Sequence, residues 1–169
     1  MWKSYTFRTV IFWLFVFGIA LAIWASPAAA ARKHVSRVKD GDTFEIVENK
    51  TFGLSSSIRV LGIDTPESEM PPAKCHVEAE MGKAATAYAN ELVARSGGLV
   101  WTSGAAKRDP YGRYLFKVYL RIDGKRVGWA EAMIEAGFAL PYVRTKDANG
   151  RRILVKPDWC SILAQGKPS

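Results

Sequence analysis

The chain has 169 residues, 49% of them hydrophobic, with 24 basic and 16 acidic side chains. That length suggests one domain plus extensions. Its two histidines, His34 and His76, are isolated and no CxxC pair is present, which excludes a zinc cluster; His34 is expected at the surface, and His76 at the surface or at a helix N-terminus.

Residues 1–9 carry Lys3 and Arg8 and no acid, and Val10–Ala25 is an unbroken apolar run of sixteen residues. Small residues follow, from Ser26 to Ala31. Positive start, apolar middle and small-residue exit describe a signal peptide over residues 1–31, with Ala28-Ala29-Ala30 suited to cleavage. The run is short of the roughly 20 residues that span a bilayer, and an uncleaved anchor is the alternative. Either way the rest is expected outside the cytoplasm, periplasmic or secreted. That remainder holds 22 basic and 16 acidic residues, a balance of +6. A basic surface suits a polyanion such as nucleic acid or an anionic membrane.

The stretch HVSRVKDGDTFEIVEN (34–49) predicts two strands around the turn Asp40-Gly41-Asp42. SIRVLGID (57–64) is a third strand. After a Pro-containing loop, Met81, Ala85, Tyr88 and Leu92 share a helical face within His76–Arg95, and Gly97-Gly98 ends the helix. LVWTSG (99–104) and RYLFKVYLRI (113–122) read as a fourth and a fifth strand, with a turn at Asp123-Gly124. VGWAEAMIEAGF (127–138) predicts a second amphipathic helix with Trp129, Met133 and Ala136 on one face. The tail, 145–169, is polar and shows no convincing helix. Three strands, a helix and two strands predict a mainly β domain over 32–144: a five-stranded OB-fold barrel with two helices. Such barrels commonly bind oligonucleotides on one face.

In an oxidising compartment Cys75 and Cys160 can form one disulfide, tying the loop after Glu67 to the tail. Two independent thiols are the other reading.

Charged residues crowd RVLGIDTPE (59–67). Asp42, at a hairpin turn, and Asp64, at a strand end, can approach each other in a meander. With a backbone carbonyl they make an oxygen site for a hard cation such as Ca²⁺. Asp42 alone reads more readily as a turn residue than as a metal ligand; the pair is the more informative signal. Arg59, inside an apolar strand, needs an acid or a ligand anion. It and Arg113 offer planar donor forks that match phosphate oxygens. Glu67 sits in an irregular loop where a carboxylate can accept a proton from water. Structural ion pairs and solvated loop acids are the bland alternatives for each. Together the set describes phosphodiester hydrolysis, and no Ser-His-Asp set, P-loop or histidine metal cluster competes. Strict strand alternation would put Arg59 and Asp64 on opposite faces, so a bend is needed, and Gly62 is its natural place.

DGDT (40–43), IRVLGIDTPE (58–67), DPYGR (109–113) and AEAMIEAGFA (130–139), in that order, resemble the staphylococcal nuclease, or thermonuclease-like, family. The resemblance covers roughly His34 to Tyr142. It implies an OB-fold and a Ca²⁺-dependent nuclease acting on DNA and RNA, leaving 3′-phosphate ends. By motif position it makes Arg59 and Arg113 phosphate-binding catalytic residues and Glu67 the catalytic carboxylate. Asp42, Asp64 and the Thr65 carbonyl become metal ligands; Tyr111 and Tyr142 become substrate contacts. The chain departs from the family pattern at Pro110, where a basic residue can stand, and in lacking an evident third, C-terminal helix. A nucleic-acid-binding module of the same fold that does not cleave is the rival reading. No protein partner is implied, a monomer is the default, and a membrane enters only through an uncleaved leader.

Overall fold

The computed structural model describes residues 31–49, 51 and 53–166. The predicted leader lies outside them except for Ala31, which opens the first strand. Among the described residues no helix is long and apolar enough to cross a membrane.

Strands β1 (Ala31–Asp40), β2 (Thr43–Asn49) and β3 (Leu54–Val60) form an antiparallel meander. Helix α1 (His76–Arg95) follows, then β5 (Leu99–Arg108), β6 (Tyr114–Ile122) and β7 (Lys125–Gly128). β5 pairs with β1 and β6, and β6 pairs in parallel with β3, setting Arg59 opposite Leu115. That last pairing closes β1, β2, β3, β6 and β5 into a five-stranded barrel, the pattern expected of an OB-fold. β4 (Ile63–Asp64) is a two-residue strand paired with β8 (Leu140–Pro141).

The interior follows the period-2 pattern of the strands. Phe44 and Ile46 of β2, Ile58 and Val60 of β3, and Val118 and Leu120 of β6 are all buried. α2 (Trp129–Glu135) plugs one end of the barrel, with Trp129 stacked on Phe44 at 4.9 Å between ring centroids. α1 buries Gly82, Ala85, Ala89 and Leu92. Ala85 and Leu92 lie where the periodicity placed them; Met81 and Tyr88 are only half-buried, because small residues let the helix backbone approach the barrel. His34 and His76 are exposed, and His76 opens α1.

The tail corrects the sequence reading. It holds a hairpin, β9 (Val143–Lys146) with β10 (Arg152–Val155), and a third helix, α3 (Trp159–Ala164). Six residues are too few for a helix to form alone, which is why no periodic signal marks it. α3 is fixed from outside: Cys160 is bonded to Cys75, at the N-cap of α1, and Trp159 is buried. The expected disulfide is therefore present.

Candidate active site

Gly62 supplies the bend. Its φ is +95°, in the region that disfavours side chains, and it separates β3 from β4. The chain reverses its facing there, so Arg59 and Asp64 meet instead of pointing apart. The Gly62 carbonyl also accepts the Tyr142 N–H at 3.0 Å, which brings the end of β8 to the same place.

Arg59 is the hub. Its Nη1 donates to Asp42 Oδ1 at 2.6 Å and its Nη2 to Asp64 Oδ1 at 2.9 Å. Nη2 also donates to the Tyr142 hydroxyl at 2.8 Å, and that hydroxyl donates to Asp64 Oδ1 at 3.1 Å. Asp42 is held from three sides: by Arg59, by the Thr43 hydroxyl on Oδ1 at 2.9 Å and by the Thr65 N–H on Oδ2 at 3.1 Å. The turn that carries Asp42 is pinned by Trp129, whose indole N–H donates to the Gly41 carbonyl at 2.9 Å. Arg59, Asp42 and Asp64 are all buried.

Glu67 lies just beyond, with 28% of its side chain exposed. Its backbone rests directly on α1 at Gly82, where a methyl group would overlap the Glu67 carbonyl. The side chain reaches a cleft of about 330 Å³ that Lys39, Asp40 and Glu69 also line. Burial pushes the Glu67 carboxyl above its ordinary pKa, and the Lys156 ammonium opposes that shift.

The cluster is rich in acid. Among the described residues, Asp40, Asp42, Asp64 and Glu67 bring four carboxyl groups together, with Arg59 and Lys156 close to them and Lys39 at the cleft rim. Burial drives the Asp42 pKa well above the ordinary value; Arg59 opposes this, while Asp40 and Asp64 add to it. Burial works against the Arg59 charge, yet Asp42, Tyr142 and Asp64 outweigh it and its pKa is raised. A buried site short of positive charge, with hard oxygen donors on Asp42 and Asp64 and more carboxylates alongside, fits an oxygen-loving divalent cation. Elsewhere, among the described residues, Cys75, Glu78 and Cys160 bring potential ligand atoms within 4.8 Å of one another. Those sulfurs are joined in the disulfide and offer no thiolate.

The structure thus brings together Arg59, Asp42, Asp64, Thr65, Glu67 and Tyr142. Arg113 stands apart from this hub. It sits two residues before Leu115, the partner of Arg59, and its Nε and Nη2 both meet Asp109 Oδ2 at 2.7 Å. Tyr111 is 83% exposed, its ring 5.3 Å from the Arg113 guanidinium carbon. Pro110 has a structural reason: it lies in the turn where Asp109 Oδ1 accepts the N–H of both Tyr111 and Arg113. A proline there presets the turn.

Sequence reasoning missed three residues of the site. Asp40 was read only as a turn residue, though an acid two positions before Asp42 was a visible signal. Lys156 and Trp159 were not foreseen. Lys156 Nζ lies 3.3 Å from Asp64 Oδ1 and 3.6 Å from Glu67 Oε1, and the Trp159 indole N–H donates to Asp64 Oδ2 at 3.1 Å. Their only hint was adjacency to Cys160, and it gives no direction until the disulfide partner is placed.

The family described as staphylococcal nuclease homologue matches residues 57–155, more than half of the chain and the whole span from Arg59 to Arg113. The chain belongs to this family. Among relatives, an uncharacterized endonuclease of Escherichia coli O157:H7 is 33% identical over 126 residues, 73% of this chain and 71% of the relative. An endonuclease of Escherichia coli is equally similar. An uncharacterized protein of Methanocaldococcus jannaschii is 29% identical over 123 residues, and the match spans 58% of that relative's length. The staphylococcal nuclease resemblance read from the four motifs thus holds, and the barrel agrees with it.

Proposed function

We propose that this protein is an exported, Ca²⁺-dependent nuclease that hydrolyses phosphodiester bonds of DNA and RNA, leaving 3′-phosphate ends. The observation that carries the reading is the Arg59 hub, where one guanidinium bridges two buried carboxylates beside a half-buried glutamate. The disulfide suits an oxidising compartment and supports export, to the periplasm or beyond. The endonuclease names of the Escherichia coli relatives support the reaction class.

Asp42, Asp64 and the Thr65 carbonyl would hold the calcium ion. When bound, it neutralises phosphate charge and orients water. Glu67 accepts a proton from that water or orients it for in-line attack on phosphorus. A new P–O bond forms, the bond from phosphorus to the 5′ oxygen breaks, and the leaving oxygen takes up a proton. Arg59 and Arg113 donate to the phosphate oxygens as negative charge builds there. For this Arg113 exchanges Asp109 for phosphate, and exposed Tyr111 lies beside it to meet the substrate. Tyr142 steadies Arg59 and Asp64 at the substrate edge.

The test is cleavage of plasmid DNA and of RNA by the purified protein with Ca²⁺, with Mg²⁺ and with EGTA. Cleavage is expected with Ca²⁺ and abolished by EGTA. Binding without cleavage in every condition would assign the protein as a non-cleaving module instead.

Gly82→Ala gives a local check. Alanine is worth about 1 kcal/mol more than glycine inside a helix, so α1 itself is not harmed. The added methyl meets backbone atoms of Glu67 and Ser68, which cannot swing aside as a side chain would. Displacement of the Glu67 loop by an ångström is expected to slow cleavage on the order of 10²-fold, with far-UV dichroism unchanged. A full rate in this variant would show that the Glu67 backbone position does not matter.

A further inference from the structure

We infer that Trp159 is a positioning residue for Asp64, and that the Cys75–Cys160 bond acts through it, so that the cation affinity of the site depends on the tail being tied down. The inference rests on the proposed role of Asp64 as a cation ligand. The two oxygens of Asp64 are held differently. Oδ1 receives Arg59, Tyr142 and the Lys156 ammonium. Oδ2 is held by the Trp159 indole N–H, in a bond that is itself buried. Without that donor the carboxylate is free to turn about the Oδ1 contacts. Outer partners that fix a ligating carboxylate typically account for 10- to 100-fold in metal affinity or activity.

Trp159, though buried, gets little support from the backbone that carries it. It is the first residue of α3, a helix of six residues that cannot persist alone. The preceding Asp158 caps it locally, its carboxylate accepting the Ser161 N–H at 3.5 Å and the Ser161 hydroxyl at 2.8 Å, but these bonds do not tie the helix to the rest of the molecule. The next residue, Cys160, is bonded to Cys75, which immediately precedes α1. The bond therefore joins the short helix to the longest one, and α1 is also the support of the Glu67 backbone. Opening it releases α3, and Trp159 leaves Asp64 with it.

The experiment is calorimetric Ca²⁺ titration of the full-length oxidised protein, of Trp159→Phe, of Cys160→Ser and of the double variant. Phenylalanine keeps an aromatic ring and removes only the N–H donor. Trp159→Phe is expected to weaken Ca²⁺ binding about 10- to 100-fold, Cys160→Ser to weaken it similarly, and the double variant to be no weaker than Trp159→Phe. Adding reductant to the parent protein should reproduce the Cys160→Ser value, which covers the case of a serine variant that folds poorly. A purely structural role would lower the melting temperature and leave Ca²⁺ affinity intact. Parent-like affinity in Trp159→Phe, or a disulfide effect equally large with and without the indole, overturns the inference. A parent protein that cleaves DNA yet binds no Ca²⁺ overturns the calcium reading instead. Trp159 is then judged by kcat at saturating DNA, where an unchanged value in Trp159→Phe overturns its role.

Discussion

Replacing Glu67 with glutamine is expected to slow phosphodiester cleavage by a factor of about 10² to 10⁴, the range for loss of a positioned general base, while DNA affinity is retained. The substitution keeps the size and reach of the side chain and replaces its carboxylate by a neutral amide, which removes the basic oxygen and the charge that faces Lys156. Because burial raises the Glu67 pKa, the parent enzyme should also show a displaced acid limb. A base works deprotonated, so activity falls as pH drops through the folded-state pKa. A raised value moves that fall to higher pH than a solvent-exposed glutamate would give. Single-turnover cleavage against pH, paired with fluorescence anisotropy on labelled DNA, reads both effects. Cleavage by Glu67→Gln at the parent rate would remove Glu67 from the mechanism.

Arg59→Leu should separate the structural duty of the guanidinium from the chemical one. Without calcium, and among the described residues, the variant leaves Asp42 buried with no cationic partner and Asp64 with the half-exposed Lys156. Breaking a buried pair by removing one member costs about 3–5 kcal/mol. Urea unfolding in EGTA should show a loss of that order. Adding Ca²⁺ should restore part of the stability, because an ion that binds only the folded state stabilises it by mass action. Cleavage should stay lost, since no guanidinium remains for the phosphate. If Ca²⁺ restores no stability, Asp42 and Asp64 do not form the cation site.

The sequence made some of this legible through local chemistry. Asp40-Gly41-Asp42 announced a turn, although Gly41 serves there by its lack of a side chain, with Thr65 and Met133 packed where a Cβ would sit, and not by a positive φ; Gly62 announced a bend because alternation alone set Arg59 against Asp64. The five barrel strands and α1 carried periodic patterns long enough to read. What stayed hidden depended on distant parts of the chain. The face of α1 came out partly shifted because Gly82 packs on the Glu67 backbone, a contact that hydrophobicity does not report. Arg113 reads as a second phosphate-binding fork alongside Arg59, and its contact with Asp109, four residues earlier, was not foreseen. α3 had no signature of its own, so the site roles of Lys156 and Trp159 could follow only once Cys75 and Cys160 were joined.

The parallel pairing of β3 with β6 sets a limit on how the chain can be shortened. On the side away from β2, Ile58 to Val60 pair with Tyr114 to Phe116, which follow only after α1 and β5 in the chain. A chain ending before Tyr114 keeps the meander but leaves one side of β3 with unpaired backbone groups, beside the apolar Ile58 and Val60. Bare strand edges of that kind recruit other chains. Truncation there is expected to yield a sheet that aggregates, not a smaller domain, so the molecule divides poorly into independently folding halves.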